Sequence, residues 1–314
     1  MSAAEPAHDR FRDLSFTSDG ATCAARHLAA DSGALAGRAG RPVVVMAHGL
    51  AGTMDSGLEP FATRFAAAGL DVLLFDYRGF GRSGGTPRQT VSVAAQLADY
   101  RAAVAAAGRL PGVDAGRVVL WGVSLSGGHV LRVAAGRADV AAVVALTPLV
   151  DGLAAARHAT ASHGTDETLR WTATAMRGRI AAVRGAPAVT IPVVGKPGDV
   201  AALTVEGCYE GYLSVAGPTW VNEIDAGIAF ELARMRLPRG AGPLPCPALV
   251  QIADFDRSAP PRAAAKAAFR VRAQVRHYPC DHFDVWPGRD WFEAAAGHQV
   301  RFLSRALGAA TAPG

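Results

Sequence analysis

Lysine is almost missing from this chain. Lys196 and Lys266 are the only two among 32 basic residues, so arginine carries nearly all of the positive charge behind the formal net value of +5. The arginines stand singly, with acids interleaved. That spread excludes the basic cluster with aromatic spacing on which nucleic-acid binders rely, and an Arg- and Ala-rich coding bias accounts for the charge. Long apolar runs are missing too. No stretch approaches the ~18 to 20 uninterrupted apolar residues of a spanning helix, so no membrane partner is expected. The mean hydropathy of +0.16 reflects abundant Ala and Val instead.

Residues 1–14 carry Glu5, His8, Asp9, Arg10, Arg12 and Asp13. They lack the apolar centre of a secretory leader, and a cytoplasmic protein is expected. Cysteine is sparse. Cys23, Cys208, Cys246 and Cys280 lie far apart and form no C-x-x-C pair, which argues against a zinc or redox site and for free thiols. Cys280 stands two residues from His282, but a small apolar filler before a loop describes it better than a nucleophile does. No metal, nucleotide or flavin motif is present, so no cofactor is expected. There are no internal repeats, and nothing in the sequence sets the oligomeric state.

The 314 residues, 50% of them hydrophobic, suffice for one large α/β domain or two small ones. Residues 14–17 and 22–28 flank a turn at Ser18-Asp19-Gly20 and read as an antiparallel entry. Buried runs follow at 42–47, 70–75, 117–121 and 140–146, none of them alternating, as in strands covered on both faces. Helical stretches lie between them at 59–69, 91–108 and 127–138. This alternation predicts a mostly parallel sheet with helices on both faces, with ligands at the carboxyl ends of the strands.

After residue 150 the rhythm breaks. Residues 151–244 contain no clean buried strand; 166–184 and 221–235 look helical, with Gly- and Pro-rich turns between. The stretch is too long for a bare loop and is expected to be a helical insertion. Its aromatics Trp171, Tyr209, Tyr212, Trp220 and Phe230 would either wall a substrate pocket or form the insertion's own small core. The sheet rhythm returns at 247–253 and 274–278, with helices at 261–271 and 291–307.

The most informative segment runs Val118-Val119-Leu120-Trp121-Gly122-Val123-Ser124-Leu125-Ser126-Gly127-Gly128. A buried strand stops, a serine stands between small residues, and a helix begins. That is a strand–turn–helix with Ser124 at the apex, its hydroxyl lifted clear of the sheet. A frame shifted by two would put Ser126 there instead. A serine hydroxyl needs a base to take its proton and an acid to orient that base. The strand at 247–253 runs into Asp254 and Asp256, and the strand at 274–278 into Cys280-Asp281-His282-Phe283. The order is therefore serine, aspartate, His282. His48 is expected to orient its own loop, and His158 and His163 to be polar surface.

Together these residues resemble the α/β-hydrolase superfamily, near bacterial serine esterases and dienelactone-hydrolase-like enzymes. The likeness covers about residues 14–150 and 245–308: His48-Gly49 after the third strand, Asp76 to Gly85 after the fourth, Gly122-x-Ser124 after the fifth, then Asp256 and His282. Two departures stand out. Ser126 replaces the usual second glycine, and Cys280-Asp281 precede the histidine where glycines are common. The resemblance implies an α/β-hydrolase core at 1–150 and 245–314 with a helical cap at 151–244, inserted after the sixth strand. It implies Ser124, Asp256 and His282 as the triad, since family spacing places the acid four residues before a proline, here Pro260. It further implies an oxyanion hole from the backbone N–H groups of Leu50 and Leu125, and a structural role for 76–85. Trp171, Tyr209, Tyr212, Trp220 and Phe283 are the candidate substrate contacts.

The expected activity is hydrolysis of carboxylic esters of small to medium hydrophobic substrates through an acyl-enzyme. The other reading keeps the machinery but acts as a thioesterase, lactonase or acyltransferase on a bulky biosynthetic intermediate. Either way the partner is a small-molecule acyl substrate, no metal is needed, and a neutral imidazole base predicts activity falling below pH ~6.5.

Overall fold

The computed structural model describes residues 10–160, 164–237 and 242–308. Residues 1–9, His163 and the stretch after 308 lie outside it. Its centre is an eight-stranded sheet in the order β1-β2-β4-β3-β5-β6-β9-β10. The entry hairpin, β1 (Arg12–Ser18) and β2 (Ala21–Leu28), pairs antiparallel and turns at Asp19 and Gly20, both at positive φ. β2 then lies antiparallel to β4 (Asp71–Phe75). From β4 onward every neighbour is parallel: β3 (Arg41–Ala47), β5 (Val113–Val123), β6 (Val140–Leu146), β9 (Ala248–Ala253) and β10 (Gln274–Tyr278).

Parallel pairing requires crossovers, and helices supply them. They fall on two faces because successive strand residues point to opposite sides. Val43, Val45 and Leu120 pack with Leu97, Tyr100, Val130 and Ala268 of α2 (Val93–Ala107), α3 (Leu125–Val133) and α8 (Pro261–Arg270). Val44, Met46 and Trp121 pack with Phe61, Phe65, Phe302 and Leu303 of α1 (Glu59–Ala67) and α9 (Phe292–Gly308). Burying each such large side chain contributes about 1.5–3 kcal/mol, so the two layers hold the sheet rigid and leave its strand ends to carry chemistry. No helix among the described residues is long and apolar enough to cross a membrane.

Between β6 and β9 the chain leaves the sheet, and here the expectations need correction. The segment is not purely helical. Beside α4 (Gly152–Thr160), α5 (Thr165–Val183) and α6 (Cys208–Leu213) it holds a two-stranded ribbon of β7 (Thr190–Ile191) and β8 (Ile224–Asp225). The helix expected over 221–235 shrinks to α7 (Ile228–Leu232), because Asp225 pairs with Thr190 and its carboxylate accepts from the Gly227 amide, turning the chain first. In the core, α3 starts at Leu125 rather than 127, directly after Ser124.

Candidate active site at the strand ends

Ser124 sits between β5 and α3 at φ 54°, ψ −118°. A non-glycine residue there costs on the order of 1–3 kcal/mol and must be held by its surroundings. Its amide donates to the Leu146 carbonyl (2.9 Å), and its own carbonyl accepts from Leu149 (2.8 Å) and Gly128 (3.2 Å). The flanking glycines are forced by proximity. A Cβ on Gly122 would lie 2.2 Å from the Ser126 carbonyl oxygen, and one on Gly128 2.1 Å from that of Leu149. The backbone strain thus falls on Ser124, which is partly exposed, whereas Ser126 lies inside α3 and is fully buried. The Ser126 hydroxyl bonds the His48 carbonyl and stands 2.7 Å from the Tyr77 hydroxyl. A serine is tolerated in place of glycine because these two polar atoms receive it.

The loop after β3 lies against the same serine. A Cβ on Gly49 would come within 2.9 Å of the Ser124 Cβ. Leu50 is buried, and Ala51 follows at φ 53°. His48 is buried and stacks on Trp286, ring centroids 5.0 Å apart, and burial pushes its pKa down to about 3, so the ring is neutral. This fits a role in shaping the loop. The Leu50 carbonyl accepts from the Tyr212 hydroxyl at 2.7 Å, a contact reaching down from α6. As the first residue of α3, Leu125 has no carbonyl four residues back within its helix.

Asp256 and His282, both buried, follow β9 and β10 and meet at 2.6 Å through Oδ2 and Nδ1. The other Asp256 oxygen accepts from the amides of Ser258 (2.8 Å) and Ala259 (2.6 Å), which fixes the carboxylate. With the Nδ1 proton donated to Asp256, Nε2 of His282 is left to accept one. Asp254 faces away and pairs with His277 at 2.6 Å. Asp281 has a role that residue type alone did not reveal: its carboxylate accepts from the amides of Arg257 (3.0 Å) and His282 (2.7 Å) and pairs with the Arg257 side chain, tying the two loops together.

Burial opposes protonation of His282, but the charge and hydrogen bond of Asp256, with Asp281 behind them, outweigh it and raise the pKa above the ordinary imidazole value. A base must be neutral to act, so the acid limb of kcat/KM should lie above pH ~6.5 rather than at it. A pH–rate profile whose acid limb falls below pH 6 would contradict this.

Asp76 fastens the neighbouring loops, accepting from the amides of Met54 (2.6 Å) and Arg82 (2.9 Å), with burial raising its pKa to about 6. Among the aromatics, Tyr212 stacks on Trp220 (5.0 Å) and contacts Phe283 (5.9 Å), whose ring lies 5.1 Å from that of His282. Trp171 and Tyr209 each make a contact within the insertion: the Trp171 indole donates to the Ala201 carbonyl, and Lys196 lies over the Tyr209 ring. His158 is exposed.

A family model described as serine aminopeptidase, S33, matches residues 38–200. The quorum-quenching protein AidA of Acinetobacter baumannii is 35% identical over 267 residues, spanning 84% of this chain and 86% of that protein. Thiohydrolase aneE of Aspergillus aculeatus is 37% identical over 115 residues, 37% of this chain and 36% of that protein. Among solved structures, that of DcsB in complex with its substrate analogue superposes with a TM-score of 0.76 at 20% identity, covering 95% of this chain and 99% of that one.

Proposed function

The chain belongs to the α/β-hydrolase superfamily, and on that premise we propose that it is a serine hydrolase cleaving carboxylic esters of hydrophobic substrates through an acyl-enzyme. The observations that support this reading are the buried 2.6 Å pair of His282 and Asp256 in the loops after β10 and β9, and the strained turn after β5 that presents Ser124. In it, Ser124 attacks the acyl carbon and His282 takes the hydroxyl proton, then gives it to the leaving group. Asp256 keeps His282 in the tautomer with Nε2 free. The amides of Leu50 and Leu125 receive the oxyanion, each worth about 3 kcal/mol in the transition state. Water then attacks the acyl-enzyme with His282 again as base. No step calls for a metal or cofactor.

Residues 151–244 act as a cap over a core of 1–150 and 245–314 in this reading. Tyr212, Trp220 and Phe283 wall the acyl site, while Trp171 and Tyr209 hold the cap together. The partner is a small acyl substrate. A thioester donor is the second reading, favoured by the likeness to a protein named a thiohydrolase. Turnover on matched panels of nitrophenyl esters, acyl thioesters and lactones, with and without an added alcohol, separates the two. Esters turned over at least as fast as thioesters support the first reading, and a strong thioester preference the second. Product ester in place of free acid would indicate acyl transfer. No turnover of any acyl donor would overturn both.

A further inference from the structure

The peptide that joins Gly49 to Leu50, and presents the Leu50 N–H, lies between two carbonyls anchored in different parts of the molecule. On one side the His48 carbonyl accepts from Ser126. A carbonyl can only accept, so the Ser126 proton is committed there, and Tyr77 must donate its own to the Ser126 oxygen at 2.7 Å. Tyr77 and His48 lie in the loops that follow β4 and β3, and Ser126 in α3, all outside the insertion. On the other side the Leu50 carbonyl accepts from Tyr212 at 2.7 Å, and Tyr212 belongs to α6, within the insertion. The bonded carbonyl heads the peptide that leads into Ala51, the residue held at φ 53°. A β-carbon-bearing residue keeps that conformation only where its neighbours impose it.

We propose that Tyr212 is a positioning residue that makes the oxyanion hole conditional on the insertion being seated against the strand ends. This rests on the acyl-enzyme reading given above. With the insertion seated, the Tyr212 ring is fixed by its stack on Trp220 and its contact with Phe283, next to His282. Its hydroxyl then holds the Leu50–Ala51 peptide, and the Leu50 N–H points where the oxyanion forms. With the insertion lifted, the Leu50 carbonyl loses its donor and Ala51 is free to relax, while the core anchor through Ser126 and the long bond from the Gly52 amide to the Gly49 carbonyl (3.4 Å) remain. The nucleophile and base stay in place, but one of the two oxyanion donors does not. A substrate that seats the insertion around its acyl group would thereby complete its own catalytic site.

The test is Tyr212→Phe, which removes the hydroxyl and keeps the ring. Loss of one neutral hydrogen bond predicts a 3- to 10-fold fall in kcat with KM within about twofold. The affinity for a boronic-acid transition-state analogue should fall by the same factor, with the acid limb of the pH profile unmoved. Ser126→Ala, which cuts the other anchor, should produce the same split. A Tyr212→Phe enzyme with unchanged kcat and analogue affinity overturns the inference. So does one in which kcat, KM and melting temperature decline together without a selective loss of analogue binding. If Ser124→Ala keeps wild-type turnover, it is the acyl-enzyme reading that fails. If Ser124→Ala is inactive while Tyr212→Phe is unaltered, only the positioning role fails.

Discussion

Replacing Ser124 by alanine is expected to lower turnover of any acyl substrate by at least about 10⁴-fold and to abolish reaction with a fluorophosphonate probe. The magnitude follows from how serine triads fail. Without the nucleophile, the base and acid have nothing to activate, and only binding and the oxyanion donors remain. The fold should survive, since the Ser124 side chain makes none of the bonds that hold the turn. Those run through its amide and carbonyl, to Leu146, Leu149 and Gly128. Ser126→Ala separates the two serines. It should retain measurable turnover and full labelling, because the Ser126 hydroxyl is buried beneath the loop and committed to the His48 carbonyl. A Ser124→Ala protein that still turns over and labels like the wild type would sink the assignment.

The second large effect is expected at Asp256. Asp256→Asn should reduce kcat by about 10⁴-fold while leaving substrate affinity nearly intact. The amide would donate to Nδ1 where the carboxylate accepted, which forces the imidazole proton onto Nε2 and blocks the base. Removing the negative charge also removes what raises the His282 pKa against its burial, so any residual activity should show an acid limb displaced to lower pH. Asp254→Asn is the control. That residue follows the same strand but pairs with His277, half-exposed and turned away, and its loss should change activity by no more than a few-fold. Reversed effects at the two positions would require a different acid.

The two aspartates also mark where sequence reading stops. The strand at 140–146 is legible to the residue, because a run buried on both faces cannot alternate and must end where turn residues begin; 274–278, largely exposed, is legible from the turn residues that bound it. Ser124 and His282 are legible for the same reason, since each follows a strand that can be read. Asp254 and Asp256 both follow β9 within three residues; family spacing before Pro260 favours Asp256, and the two side chains point to different partners. The 151–244 stretch was the least legible. Its short ribbon depends on two pairings, Thr190 with Asp225 and Ile191 with Ile224, and no periodic pattern of residues foretells a two-residue strand. Its aromatics look alike in sequence, yet Tyr212 bonds the Leu50 loop while Trp171 bonds Ala201. In the sequence Ser126 is a departure from glycine and a second candidate for the turn's apex. Its partners, Tyr77 and His48, are 49 and 78 residues away, so its role could appear only in three dimensions.

Everything turns on one hydroxyl being made nucleophilic where β5 meets α3. Digestion and mass spectrometry of the fluorophosphonate-treated wild-type protein test this most directly. The account predicts a single stoichiometric adduct on Ser124, formed more slowly as pH falls and His282 becomes protonated. An adduct on Ser126 or on any other residue, or an untouched Ser124 in a protein that still hydrolyses esters, would contradict it.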